Sequence, residues 1–251
     1  MIISHPEICY LESGDGRRIA YRLRPGSGPT LIFLPGYASD MEGAKAIALD
    51  AFAGRRGVAM LRFDYSGTGS SSGAFEDGTL GGWLDEARAM IERLTEGPII
   101  VIGSSMGGWI ALHIALRLPE RVQALVGIAA APDFTDWGFT AGQKEELREK
   151  GRIERPSSTG GDPQITTRAF WESGQGLRLL AAAIAIDCPV RLVHGDADRD
   201  VPVAVANKLM EQLRSADVQL NVLKGGGHRL SEPHEIEAIV RTVAALLEPA
   251  P

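Results

Sequence analysis

The chain has 251 residues, of which 44% are hydrophobic and 23% charged, with a formal net charge of −6 at pH 7. A chain of this size buries a core without disulfide or metal support, and its acidic, interspersed charge argues against nucleic acid, whose phosphates call for clustered Lys and Arg. No apolar run is long enough to span a bilayer, and Cys9 and Cys188, far apart in sequence, read as reduced structural thiols.

Taken in order, the chain alternates short apolar runs with turns and helical stretches. Residues 7–12 and 17–24 flank Ser13-Gly14-Asp15-Gly16, a hairpin turn. Further strands are expected at 30–34, 58–63, 99–102, 122–129, 190–194 and 218–223. Leu84, Ala87, Ile91 and Leu94 share a helical face, as do Ile236, Ile239, Val240 and Val243. The pattern predicts one α/β domain over 1–251, with an eight-stranded, mostly parallel sheet and helices on both faces.

The stretch from about 133 to 186 departs from this rhythm. It shows no clear strand, a Ser, Thr and Gly-rich loop at 156–163, and one solvated helix at 144–150 supported by Glu146 and Lys150. An insertion of this length in an α/β domain reads as a lid.

The pattern G-x-S-x-G occurs twice. Gly69-Ser70-Ser71-Ser72-Gly73 follows a loop and precedes no helix, which points to a flexible loop. Gly103-Ser104-Ser105-Met106-Gly107 follows the apolar strand Ile99-Ile100-Val101-Ile102 and runs into a helix closed by Pro119. Only the second has the strand–turn–helix setting that exposes a serine nucleophile on a strained turn. Ser105 is therefore the expected nucleophile.

A serine hydroxyl needs a base. Among five histidines, His228 alone sits in a Gly-rich loop between the last strand and the last helix, where an imidazole reaches the carboxyl edge of the sheet. The acid that orients it is expected after a late strand, where Asp196, Asp198 and Asp200 all qualify, with Asp133 a weaker candidate. The same D-x-D-x-D run lacks the Gly and Glu of a calcium loop, so no metal is expected. Two backbone N–H groups must face the oxyanion. Those of Met106, directly after Ser105, and Tyr37, in the Leu34-Pro35-Gly36-Tyr37 loop, are the expected donors.

Taken together, Phe33-Leu34-Pro35-Gly36-Tyr37, Arg62-Phe63-Asp64-Tyr65-Ser66-Gly67-Thr68-Gly69-Ser70-Ser71, Gly103-Ser104-Ser105-Met106-Gly107-Gly108-Trp109 and Gly227-His228-Arg229 resemble the mitochondrial palmitoyl-protein thioesterase branch of the α/β-hydrolases, also described as a mycophenolic acid acyl-glucuronide esterase. The resemblance runs from about Thr30 to the C-terminus. It implies the α/β-hydrolase fold and a Ser-Asp-His serine hydrolase that cleaves esters or thioesters through an acyl-enzyme. It also selects Asp198 as the acid, because Gly195, Asp198, Val201 and Pro202 match the family's spacing.

Trp137, Phe139 and Trp171 in the insertion are expected to wall an apolar acyl group. The expected substrate is a small molecule or an acylated species, with no cofactor. The absence of a mitochondrial-type leader points to a cytoplasmic protein. A non-catalytic binding protein, peptide cleavage and perhydrolysis are the alternatives on this fold.

Overall fold

The computed structural model describes residues 5–14, 16–155 and 164–248. In chain order they form β1 (Cys9–Glu12), β2 (Arg18–Arg24), β3 (Ser27–Leu34), α1 (Ala44–Arg56), β4 (Val58–Phe63), α2 (Leu80–Leu94), β5 (Ile99–Ser104), α3 (Met106–Arg117) and β6 (Val122–Ile128). After these come α4 (Phe134–Trp137), α5 (Ala141–Lys150), β7 (Arg152–Arg155), β8 (Gln164–Thr167), α6 (Arg168–Gln175), β9 (Val190–Gly195), α7 (Val203–Gln212), β10 (Val218–Leu223) and α8 (Pro233–Leu247).

Eight strands make one sheet in the order β1-β2-β4-β3-β5-β6-β9-β10. The β1–β2 and β2–β4 pairs are antiparallel and the others parallel. The fold is thus the α/β-hydrolase arrangement. The central strands are apolar throughout because both faces are covered. In β3, Leu31 and Phe33 join a core beneath α1 and α8, whereas Ile32 and Leu34 join the core beneath α2 and α3. Strand β5 repeats this alternation, with Ile100 and Ile102 on the first face and Ile99 and Val101 on the second. That period of two is the pleat of a strand.

The insertion between β6 and β9 differs from the expectation. It contains a two-stranded antiparallel sheet, β7–β8, in which Ile153 pairs with Thr166 and Glu154 with Ile165. Each strand is four residues long and mostly polar, so neither offers an apolar run to recognise. The loop expected at 156–163 lies outside the described residues. Helix α5 includes the expected 144–150 segment, begins with a Thr140–Gln143 capping box and carries the Lys150–Glu146 ion pair at 2.9 Å.

Candidate active site

Strand β5 ends and α3 begins with a single residue between them, Ser105, whose φ of +54° and ψ of −118° are strained for a side chain bearing a Cβ. The turn closes because its neighbours are glycines. A Cβ on Gly103 would lie 2.2 Å from the Gly107 carbonyl oxygen, and one on Gly107 only 2.1 Å from that of Leu34. No residue but glycine fits either position without moving backbone. The strained turn lifts Ser105 out of the buried strand at the N-terminus of α3.

Ser105 meets two partners drawn from distant loops. Its Oγ lies 3.0 Å from His228 Nε2, and His228 Nδ1 lies 2.8 Å from Asp198 Oδ2. His228 occupies the loop after β10, and Asp198 the loop after β9. The Asp198 side chain is fully buried. Its Oδ1 accepts the amides of Asp200 and Val201 at 2.9 and 2.8 Å. Burial by itself would raise the Asp198 carboxyl, but bonds from His194, His228 and the Val201 amide overcome it and hold the group well below the usual carboxylate range.

The other acidic candidates lie elsewhere. Asp196 accepts the Gly225 amide, exposed Asp200 makes no hydrogen bond to His228 among the described residues, and Asp133 accepts the amides of Leu179 and Leu180, both at 2.8 Å. One ligand atom each from Asp198, Asp200 and His228 lies within 4.8 Å of the others, but two of the three already bond to each other.

The amide of Met106 is in the first turn of α3, where helix N–H groups have no intrahelical acceptor. The Tyr37 amide makes no hydrogen bond among the described residues. Its loop abuts Ser105, since a Cβ on the adjacent Gly36 would lie 3.3 Å from that of Ser105. The two expected oxyanion donors thus flank Ser105.

The Tyr37 side chain has a further part that the sequence did not signal. Its hydroxyl donates to the Ile165 carbonyl at 2.7 Å, joining the loop after β3 to the insertion. Its ring packs against Phe75, Trp83, Phe134 and Phe170. Burial pushes its phenol up to about 12.

The aromatic residues expected to wall an acyl group are placed differently. Phe139 and Trp171 are buried with Leu147 and Ile153 as the insertion's own core. The Trp171 indole also donates to the Thr135 carbonyl. A small insertion needs such a core, which draws its large side chains inward. Trp137 borders a surface cleft with Asp133 and Arg178 and donates to the Pro132 carbonyl. The rings that bridge the Tyr37 loop, α3 and the insertion are those of Phe134 and Trp109, 5.7 Å apart.

The second serine motif is pinned to the sheet and is not the flexible loop expected. Ser71 Oγ donates to the Asp64 carbonyl at 2.7 Å and accepts the Ala20 amide at 2.8 Å. Buried Asp64 accepts the amides of both Met41 and Ser70, so it ties two loops together. The thiols remain unpaired, with Cys9 exposed and Cys188 half-buried.

A model of the Alpha/beta hydrolase family matches residues 31–242. Human mitochondrial palmitoyl-protein thioesterase ABHD10 is 36% identical over 245 residues, covering 96% of this chain and 80% of that protein. A pimeloyl-[acyl-carrier protein] methyl ester esterase of Nitrosomonas europaea is 26% identical, covering 84% and 93%. Mouse alpha/beta hydrolase domain-containing protein 10 superposes with a TM-score of 0.89 at 35% identity, covering 96% of this chain and 98% of that one. The ABHD10 relatives are named as mitochondrial, which does not fit the cytoplasmic expectation. No helix among the described residues is long and apolar enough to cross a membrane. The chain belongs to the alpha/beta hydrolase family and resembles its palmitoyl-protein thioesterase members across nearly its whole length.

Proposed function

We propose that this protein hydrolyses carboxylic esters or thioesters bearing an apolar acyl group, through an acyl-enzyme on Ser105. The observation behind the reading is the unbroken chain from Ser105 Oγ through His228 to buried Asp198. His228 Nε2 takes the serine proton as Oγ attacks the carbonyl, and Asp198 holds the imidazole in the required tautomer and stabilises its cation. The Met106 and Tyr37 amides receive the oxyanion. His228 then protonates the leaving alcohol or thiol, and water attacking by the same route frees the acid and restores Ser105. The insertion over 133–186 acts as a lid on this single catalytic unit. The printed names of the relatives, a thioesterase and a methyl ester esterase, support this bond type.

A panel of ester, thioester, amide and peroxide substrates, read by the mass of the adduct on Ser105, tests the reading. Ser105→Ala is expected to lower kcat by about 10⁴-fold or more and to abolish labelling by a fluorophosphonate probe. Near-normal turnover in that variant would overturn the proposal.

A further inference from the structure

The loop that carries the Tyr37 amide has few ties of its own. Residues 38–40 are exposed, and among the described residues their hydrogen bonds stay within the loop. The Ser39 amide donates to the Gly36 carbonyl at 3.2 Å, and the Glu42 amide to Asp40 Oδ1 at 2.8 Å. Ala38 is held at a φ of +51°, which a Cβ disfavours. Firm anchorage returns at Met41, whose amide donates to Asp64 at 2.7 Å and whose carbonyl accepts from Arg62 at 2.6 Å. A strained turn keeps its shape only where its neighbours over-determine it. Among residues 37–40, the side chain that packs on the core is that of Tyr37.

Much of what holds that side chain belongs to the insertion. The Ile165 carbonyl in β8 accepts the Tyr37 hydroxyl at 2.7 Å, and Thr166 Oγ1 lies 3.4 Å away. The Phe170 and Phe134 rings, also from the insertion, pack at 4.7 and 6.1 Å between centroids. Phe75 and Trp83 close the ring in from outside the insertion. A tyrosine has only two side-chain torsions, so fixing its ring and hydroxyl leaves its backbone little freedom. Placement matters at such a position, because a shift of about 1 Å in a reacting geometry can cost about a hundredfold in rate.

We propose that the insertion is a working part of the oxyanion hole: through the Tyr37 hydroxyl, β8 holds the Tyr37 amide where the oxyanion forms. The side chain of Tyr37 is then a positioning group that acts through its own backbone N–H. The proposal rests on the acyl-enzyme reading of Ser105 and extends it. It makes binding of the transition state, rather than of the substrate, depend on how the insertion is seated.

Tyr37→Phe keeps the amide and the ring and removes the bond to β8. On p-nitrophenyl butyrate its kcat is expected to fall about tenfold, a fraction of the roughly 10²–10³-fold cost of losing an oxyanion donor outright. KM should stay within about twofold of wild type, since ground-state binding is untouched. An alkyl trifluoromethyl ketone supplies the second readout. Ser105 Oγ adds to its carbonyl carbon, the serine proton passes to His228, and the ketone oxygen becomes the bound oxyanion. Its affinity should fall by the same factor as kcat, while an ether analogue of the ester, which cannot form that adduct, should bind as before. Thr166→Val, a change inside the insertion that leaves Tyr37 intact, should lower both quantities together by a smaller factor. An unchanged kcat in Tyr37→Phe would overturn the proposal, even with a lowered melting temperature, because the hydroxyl would then be a structural tie alone. A loss carried by KM, or a loss of kcat that spares the ketone, would overturn it too. Fluorophosphonate labelling of Ser105 with ester turnover in the wild type keeps the hydrolase reading standing in each of those cases. A wild type that neither labels nor cleaves the ester would remove both.

Discussion

His194 places its Nε2 3.4 Å from Asp198 Oδ2, the oxygen that also meets His228 Nδ1 at 2.8 Å. The same Nε2 donates to the Val201 carbonyl at 2.9 Å, and the ring is fully buried at the end of β9. One N–H thus spans the acid and the loop that presents it. On the proposed mechanism, His194 positions Asp198. His194→Ala is expected to reduce kcat by about tenfold to a hundredfold, the cost of a hydrogen bond to a charged group, with little change in KM. His194→Gln, which keeps a donor, should recover much of the loss. Steady-state kinetics on one neutral ester separate these outcomes.

The depressed carboxyl of Asp198 makes stability depend on pH. Its folded pKa lies below its unfolded value, so ionised Asp198 favours the folded state throughout the neutral range. That contribution is present above the unfolded carboxylate pKa and is lost as pH falls through the folded value. The stability difference between wild type and Asp198→Asn should therefore be constant near neutrality and shrink under acid. Urea melts from neutral pH downward measure it, and a difference that grew on acidification would contradict the assignment. Asp133→Asn, which alters the anchor of Leu179 and Leu180, should cost stability but leave far more turnover than Asp198→Asn.

Ser105 is held at a positive φ that its Cβ disfavours. Ser105→Gly should raise stability by about 1 kcal/mol or more through relief of that strain, while abolishing turnover. Thermal denaturation and an ester assay on the same preparation test both halves. A destabilised Gly variant would show that the turn is not strained.

Tyr37 joins the loop after β3 to the insertion through its hydroxyl. Tyr37→Phe removes that bond and should cost about 0.5–1.5 kcal/mol, with faster proteolysis within the insertion. The phenol has a second, pH-dependent signature. Unfolded Tyr37 ionises near 10 but the folded group only near 12, so stability should fall as pH rises across that window. Alkaline melts of wild type and Tyr37→Phe should show the slope weakened in the variant.

Much of the sheet was legible because its strands are buried on both faces. Runs such as Leu31-Ile32-Phe33-Leu34 and Ile99-Ile100-Val101-Ile102, short, apolar and bounded by turn residues, fit the central strands of a sheet covered on both faces. The β7–β8 pair was illegible for the opposite reason. Its short polar strands are specified by their partners and by the insertion's small core, not by local pattern. The aromatic residues of the insertion misled in the same way, since the sequence shows that Phe139 and Trp171 must be covered but not by what.

The tight turn at Ser105 was readable from its own neighbourhood, because the close approach of strand and helix demands glycines at positions 103 and 107. Strand–turn–helix context also distinguished it from its twin at Ser71. His228 followed from chain order and loop composition. Choosing among three carboxylates within five residues was a different problem. Asp196, Asp198 and Asp200 are chemically alike along the chain, and family likeness had to select one. In the fold, Asp198 alone turns inward, where two amides and two imidazoles converge on a carboxylate removed from water. Local sequence determines a turn whose requirements are local. A hydrogen-bond network joining residues 105, 194, 198 and 228 exists only after the sheet has brought their loops to one edge.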